Sequence, residues 1–484
     1  MLALRHSGTL RASLALGATV AVAFPAAGAA PGDAAQSAPL RPLVTGFLLP
    51  DTNDPVAFAR ARAAGATLLR LTVNWRLVAP EGRTRPRGFD PKNPNDPAYR
   101  WTELDERVKG AVAAGLVPLL TLHEAPEWAA PAPRVRAHDG PTRPDPVAYG
   151  QFAEAAAKRY SGRTAGLPRV RYWQAWNEPN VSTYLMPQQE GSRNVSPEHF
   201  RLLVNAFTDA VHRVHRTNVA IAGGLSPFTV RSERLETVGP LRFLRELLCV
   251  SGGAKPRGTC RTRVRFDVLS VHPYTSGNPT HQAFHADDVS LGDLAELRPL
   301  LRAAVASGNL QRRTVPPIWV TEFSWDSKPP DPDGVPMRLH KRWTAEGLYR
   351  MWQHGITRVT WFLLRDQPLA TSPYQSGLYY AGASPARDRP KPSLQAFRFP
   401  FVAFHTSRGM DVWGRTPTSS AASVRIELST GGRWREIARL RAGENGVFRA
   451  RLRSTARKGF VRAVASGQSA VPFSLTVPPD YLTR

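Results

Sequence analysis

The sequence predicts an α/β protein, a (β/α)8 barrel followed by a small C-terminal antiparallel β domain. Three observations predict it. Eight short apolar runs alternate with helix-like runs between Leu43 and about residue 400. The segments that follow those runs are long, whereas most that lead into them are short. Beyond about Phe401 the pattern becomes short alternating runs separated by glycine-rich turns.

The expected strands are Leu43–Leu49, Thr67–Trp75, Leu116–His123, Arg169–Glu178, Asn218–Leu225, Phe266–Tyr274, Ile318–Phe323 and Arg358–Leu364. They are apolar, partly β-branched and mostly lack strict alternation, as strands of a parallel sheet buried on both faces do. Helical patterns lie between them at Pro55–Ala64, Glu103–Ala114, Val147–Tyr160, Glu198–Thr217, Leu291–Ala306 and Leu339–His354. Ala64-Gly65-Ala66, Ala114-Gly115 and His354-Gly355 end helices and lead at once into strands. The long segments after strands include Ala79–Arg100, Ala125–Pro146, Pro179–Ser196, Thr275–Ser290 and Asp326–Met337. Elaboration therefore gathers on the C-terminal face of the barrel, where such folds build their sites.

In the tail, Ala422–Leu428, Trp434–Ala442, Gly446–Leu452 and Phe460–Ala465 read as strands of a sandwich. Trp413 or Trp434 could present an aromatic face to a carbohydrate, but packing inside the small domain is the preferred reading. The expected organisation is a signal peptide at 1–30, a linker at 31–42, the barrel at 43–402 and the β-sandwich at 403–484.

Residues 1–30 carry the three parts of a secretory signal: Arg5 and Arg11, an apolar run from Ala12 to Ala23, and small residues at Ala27-Gly28-Ala29. The run is too short to span a bilayer comfortably. A secreted, extracellular protein is therefore expected. The two cysteines, Cys249 and Cys260, are expected to form one disulfide in an oxidising compartment, contributing about 3 kcal/mol. Two reduced thiols are the alternative.

Composition excludes several classes. With 42% hydrophobic and 21% charged residues the chain is not disordered throughout. No apolar stretch long enough for stable membrane insertion follows the signal. The net charge of +26 comes mostly from arginine, which is scattered rather than clustered. No nucleic-acid partner is expected. Association with an anionic cell envelope or acidic glycan is the partner the charge would favour; a basic protein with no such target is the preferred reading.

Two carboxylates stand out. Glu178 ends the fourth expected strand in Trp176-Asn177-Glu178-Pro179, and Glu322 ends the seventh in Val320-Thr321-Glu322-Phe323. A carboxylate closing an apolar strand is costly to bury and needs a reason. Strands four and seven face each other across a barrel mouth. Two facing carboxylates suit glycosidic cleavage, one protonating the leaving oxygen while the other attacks the anomeric carbon.

On these residues the chain resembles clan A of the glycoside hydrolases, over roughly residues 43–400. It is most like family 5 and less like family 39. The resemblance implies a retaining glycosidase with Glu178 as acid/base, Glu322 as nucleophile, a carbohydrate substrate, and neither metal nor cofactor. It implies that Arg70 hydrogen-bonds the nucleophile, that Asn177 contacts the sugar 2-hydroxyl, and that His123 touches the sugar. It further implies that His272 contacts the site, that the Tyr274 hydroxyl bonds Glu322, and that Trp361 stacks under the sugar. Each supporting residue also admits a structural role: Arg70 as an ion pair, the histidines and Trp361 as core. Glu124, Glu127, Trp128, Trp75, Trp325 and Arg365-Asp366 sit near strand ends without an assigned role. The rival function is a non-catalytic carbohydrate-binding or envelope protein on a similar barrel.

Overall fold

The computed structural model describes residues 40–48, 53–130, 132, 140–232, 234–251 and 262–478. The expected signal peptide and most of the linker lie outside the described residues.

Eight parallel strands close into a barrel. They are β1 (Val44–Leu48), β2 (Leu68–Asn74), β3 (Val117–His123), β4 (Tyr172–Ala175), β5 (Val219–Leu225), β6 (Val268–Val271), β7 (Ile318–Val320) and β8 (Arg358–Trp361). Each pairs with its neighbours in chain order, and β8 returns to β1 with Trp361 opposite Phe47. All eight expected strands are present, most trimmed at their C-terminal ends where the site loops begin.

Side chains on a strand repeat with a period of two, so the barrel interior is built in tiers. Leu68, Leu119, Ile221, Val268 and Trp319 form one apolar tier. Two residues further along the same strands stand Arg70, Thr121, Ser270 and Thr321, all buried. A polar tier thus rests on an apolar plug, one step below the C-terminal mouth.

Among the described residues, eight helices of seven residues or more accompany the strands: α1 (Pro55–Ala63), α2 (Thr102–Ala113), α3 (Pro146–Arg159), α4 (Ser196–Val214), α5 (Pro240–Leu248), α6 (Leu297–Ala306), α7 (Met337–Gln353) and α8 (Pro392–Arg398). Local chemistry sets their ends. The Asp145 carboxylate accepts from Val147 N at 2.7 Å and Ala148 N at 2.9 Å, with Pro146 in the first turn. Gly115, at φ +74°, turns the chain out of α2 and straight into β3. Along α4, Phe200, Leu203, Val204, Phe207 and Val211 make the buried stripe that faces the barrel. Helices α5 and α8 were not among the expected elements.

Cys249 follows α5 in the left-handed conformation and is buried. Its expected partner, Cys260, lies outside the described residues.

After α8 come two antiparallel sheets. The first holds β9 (Phe401–Thr406), β10 (Gly409–Arg415) and β13 (Val447–Leu452). The second centres on β11 (Ser423–Ser429) between β12 (Arg435–Arg441) and β14 (Phe460–Ala465). β9 and β10 extend the module beyond the expected strands.

This module is fastened to the barrel. Trp413 is buried, with its ring 5.4 Å from Tyr349 and 5.5 Å from Trp352 of α7. Arg415, also buried, donates to Leu43 O at 2.8 Å and Thr45 Oγ1 at 3.0 Å on the first barrel strand. Trp413 therefore packs rather than offering its face to a ligand. Trp434 is half-buried beneath the Arg462 guanidinium, 4.1 Å from its ring centre. Trp413→Ala is expected to lower the unfolding free energy by about 3–5 kcal/mol, read by urea denaturation. A loss under about 1 kcal/mol would mean the contact does not hold the module.

Candidate active site

The site forms where β2, β4, β6 and β7 reach the barrel mouth. Arg70 is its centre. The residue is 2% exposed, and each of its nitrogens has a partner. Nε donates to Thr121 Oγ1 at 3.0 Å, Nη1 to Glu322 Oε2 at 2.8 Å and Thr321 O at 3.1 Å, and Nη2 to Asn177 Oδ1 at 2.5 Å. A guanidinium is a planar donor fork, so these bonds set the positions of three other strands.

Glu322 receives a second donor, the Tyr274 hydroxyl, on Oε1 at 2.8 Å. Burial and the Glu322 charge beside it push the tyrosine hydroxyl well above its usual range, so it stays a donor. Because Arg70 offers only donors, Asn177 must turn its oxygen toward it, which directs the amide nitrogen the other way.

Glu178 follows β4 on an unusual backbone. Trp176 and Glu178 both lie in the left-handed region, at φ +65° and +39°. Such conformations cost a non-glycine residue roughly 1–3 kcal/mol each. The surroundings hold them: Trp176 N meets Leu122 O at 2.9 Å, its indole donates to Tyr184 O at 2.9 Å, and Glu178 N donates to Gly224 O at 3.2 Å.

The Glu178 Oε1 atom lies 2.8 Å from His272 Nδ1. On the far side of the ring, Nε2 lies 3.1 Å from Thr321 Oγ1, which itself contacts Ser270 Oγ. Burial lowers the His272 pKa to about 3, so the ring is neutral. Gly224 makes room for it. A Cβ there would stand 2.8 Å from His272 Nε2 and 2.9 Å from Gln174 Nε2. Burial also pushes the Glu178 carboxyl up to about 7, with Arg70 opposing.

One carboxylate oxygen of Glu178, one of Glu322 and a nitrogen of His272 lie within 4.8 Å of one another. Among the described residues this is the one such group of three that could surround a metal ion. Arg70 and Tyr274 already occupy both oxygens of Glu322, and the guanidinium repels a cation there.

His123 ends β3 and is buried, with neither ring nitrogen hydrogen-bonded to the protein. Burial first, then Arg70, lowers its pKa to about 3. Its ring meets Tyr184 edge-on, 6.1 Å between centres.

Trp361 is a correction. It is 1% exposed, donates its indole N–H to Ser376 O at 2.8 Å, and packs among Phe323, Trp325, His340 and Phe397. Its face is closed to a sugar. Phe362, one residue later, lines a cavity of about 390 Å³ that contains Glu178 and Tyr274. One step along an extended chain reverses the side chain, and Trp361 is the last strand residue, where alternation in sequence gives no further guide.

Three further aromatics surround the site. Trp325 and Tyr374 line the same cavity. Burial, and after it the field of Glu178 and Glu322, raises the Tyr184 hydroxyl pKa. Tyr184 and Tyr374 sit on irregular loops, where sequence periodicity carries no signal. Trp75 is core, stacked 5.2 Å from Phe152. Arg365 pairs bidentately with Asp388 and Asp366 with buried Lys391, so both serve the framework.

No family model matches this sequence, and no curated protein matches it. Solved structures do. A family 39 glycoside hydrolase from the gut symbiont Bacteroides cellulosilyticus WH2 aligns with TM-score 0.51 and 18% identity, over 85% of this chain and 81% of that one. A glucosidase from Croceicoccus marinus gives 0.47 and 13% over 86% and 95%. A family 30 endoxylanase from Clostridium papyrosolvens C71 gives 0.44 and 13% over 88% and 96%. At these identities the likeness is one of architecture: the chain has a (β/α)8 barrel fold similar to that of the family 39 glycoside hydrolase.

Proposed function

We propose that the chain is a secreted, retaining glycoside hydrolase that cleaves O-glycosidic bonds by double displacement. The observation that carries this reading is the Glu178–Glu322 pair, with carboxylate oxygens within 4.8 Å at the barrel mouth. Retaining enzymes hold their carboxyl groups about 5–5.5 Å apart and inverting ones about 6.5–9.5 Å apart, leaving room for water.

The environments of the two acids fit different roles. Glu322, gripped by Arg70 and Tyr274, is oriented to attack the anomeric carbon. Glu178, buried without a cation bonded to it, holds a proton near neutral pH and can give it to the leaving oxygen. After the glycosyl–Glu322 ester forms, ionised Glu178 takes a proton from water. That water attacks the anomeric carbon and releases Glu322. The Asn177 amide is turned so that it can donate to a sugar hydroxyl. No step calls for a metal or cofactor. Export rests on the pattern of residues 1–30, and association with an anionic envelope rests on charge alone. Among the described residues no helix is long and apolar enough to cross a membrane.

Glu322→Ala is expected to abolish turnover of every glycoside tested. Glu178→Ala should spare glycosylation by dinitrophenyl glycosides, whose leaving group needs no proton, and azide should rescue the second step. Substrates with sugar leaving groups should slow by about 10²–10⁴. Equal loss on both substrate types with no azide effect would remove Glu178 from the acid/base role. Binding without turnover in the unaltered protein would favour the non-catalytic reading instead.

Catalysis should also depend on pH in a defined direction. Acid catalysis needs the protonated form of Glu178, which is present below its raised pKa of about 7. For a poor leaving group, kcat/KM should therefore fall as pH rises through about 7. The same limb should be absent for a dinitrophenyl leaving group while glycosylation is measured. A limb that persists unchanged would assign it to another group.

A further inference from the structure

The protein is strongly basic, with 64 lysines and arginines against 38 acids. The cavity beside Glu178 has the opposite character. Asp326, Asp331 and Asp333, all on the loop after β7, line it together with Glu178, and none of its lining residues is lysine, arginine or histidine. Asp326 accepts from Gln375 N at 2.8 Å, and Asp331 accepts from Asp333 N at 2.9 Å. None of the three aspartates forms an ion pair among the described residues. A cleft lined by one sign of charge between low-dielectric walls concentrates potential and gathers the opposite charge.

A second feature of the same cavity points to a ligand. Ser324 is 6% exposed and lines it, yet its hydroxyl has no hydrogen-bond partner on the protein among the described residues. The hydroxyl is not sealed off from the cavity, and a bound polar group would give it a partner. Thr275 and Tyr374 add two more hydroxyls, and Phe362 and Trp325 supply apolar faces. Carboxylates, hydroxyls and aromatic faces together suit a sugar that carries a cation. The three aspartates do not gather within 4.8 Å as the Glu178–His272–Glu322 group does. They line the cavity without closing around one metal ion.

We propose that the sugar bound in this cavity carries a protonated amine, so that the substrate class is a glycan of amino sugars with free, unacetylated amino groups. The assignment to a substrate rests on the hydrolase reading above; the binding preference stands independently of it. Burial, with Asp331 nearby, raises the Asp326 pKa to about 6, with Lys391 opposing. An ammonium bound alongside would favour the ionised carboxylate. The overall charge of +26 repels a polycation, so any preference for the amine must come from this local wall.

The test is calorimetric binding of the β-1,4-linked glucosamine tetrasaccharide and its fully N-acetylated counterpart, at mildly acidic pH and low salt. The full-length protein is compared with the Asp331→Asn/Asp333→Asn double variant. These isosteric changes keep the Oδ1 acceptor that holds the loop. The amine form should bind at least about tenfold tighter, and high salt or the double variant should reduce the preference to less than about twofold. Equal binding of the two sugars, no binding of either, or a preference that survives the double substitution would overturn the proposal. Turnover of an aryl glycoside is measured in parallel. Amine-selective binding without turnover would keep this inference and end the hydrolase reading; turnover without amine preference would do the reverse.

Discussion

One buried cation organises the mouth of this barrel. The Arg70 guanidinium rises from the second strand and ties together the third, fourth and seventh through Thr121, Asn177, Thr321 and Glu322. A charge in that position is tolerable because every nitrogen has an acceptor and Glu322 carries the opposite charge. The carboxylate gains as much as the arginine does. Its two oxygens are fixed by donors from different strands, so its direction is set before any ligand arrives.

The other acid is placed by different means. Glu178 has no direct cation, and its carboxyl faces a neutral imidazole held by Thr321 and Ser270. Two backbone positions outside ordinary conformations aim it, and the glycine at 224 makes room for the imidazole. The barrel thus creates two unlike sites for the same functional group within a few ångströms. The asymmetry follows from tier geometry. The polar layer at Arg70, Thr121, Ser270 and Thr321 lies two residues above an apolar plug, so hydrogen-bonding groups are concentrated where the strands end.

Much of this was legible in the sequence because parallel barrel strands announce themselves as apolar runs, and a glutamate at the end of such a run is conspicuous. Asn177, His272 and Tyr274 stand just past strand ends and Arg70 is a charge inside an apolar run, and the fold brings the four together. Legibility ended where regular periodicity ended. Trp361 and Phe362 are adjacent aromatics at the point where β8 stops, and only the folded backbone distinguishes the one packed against the helices from the one that lines the cavity. Tyr184, Tyr374 and the three cavity aspartates sit on loops whose paths depend on packing. Helix α5 spans only nine residues, so its apolar spacing runs through few turns even though Pro240 opens it. The strands β9 and β10 adjoin the end of the barrel and lay in the unassigned stretch between it and the glycine-rich turns of the tail.

The attachment of the C-terminal sheets bears on how the chain is made. Arg415 supplies hydrogen bonds to Leu43 O and Thr45 Oγ1, groups 372 and 370 residues earlier in the chain. A ribosome delivers β1 long before it delivers that guanidinium. Until then the base of the first strand lacks donors it has in the finished protein, however complete the other seven strands are. Closure of the barrel and docking of the tail are therefore linked events in time, and a strand synthesised after all eight of the barrel completes the contacts of the first. The β module serves as the clasp of the barrel, whatever else its outer surface does.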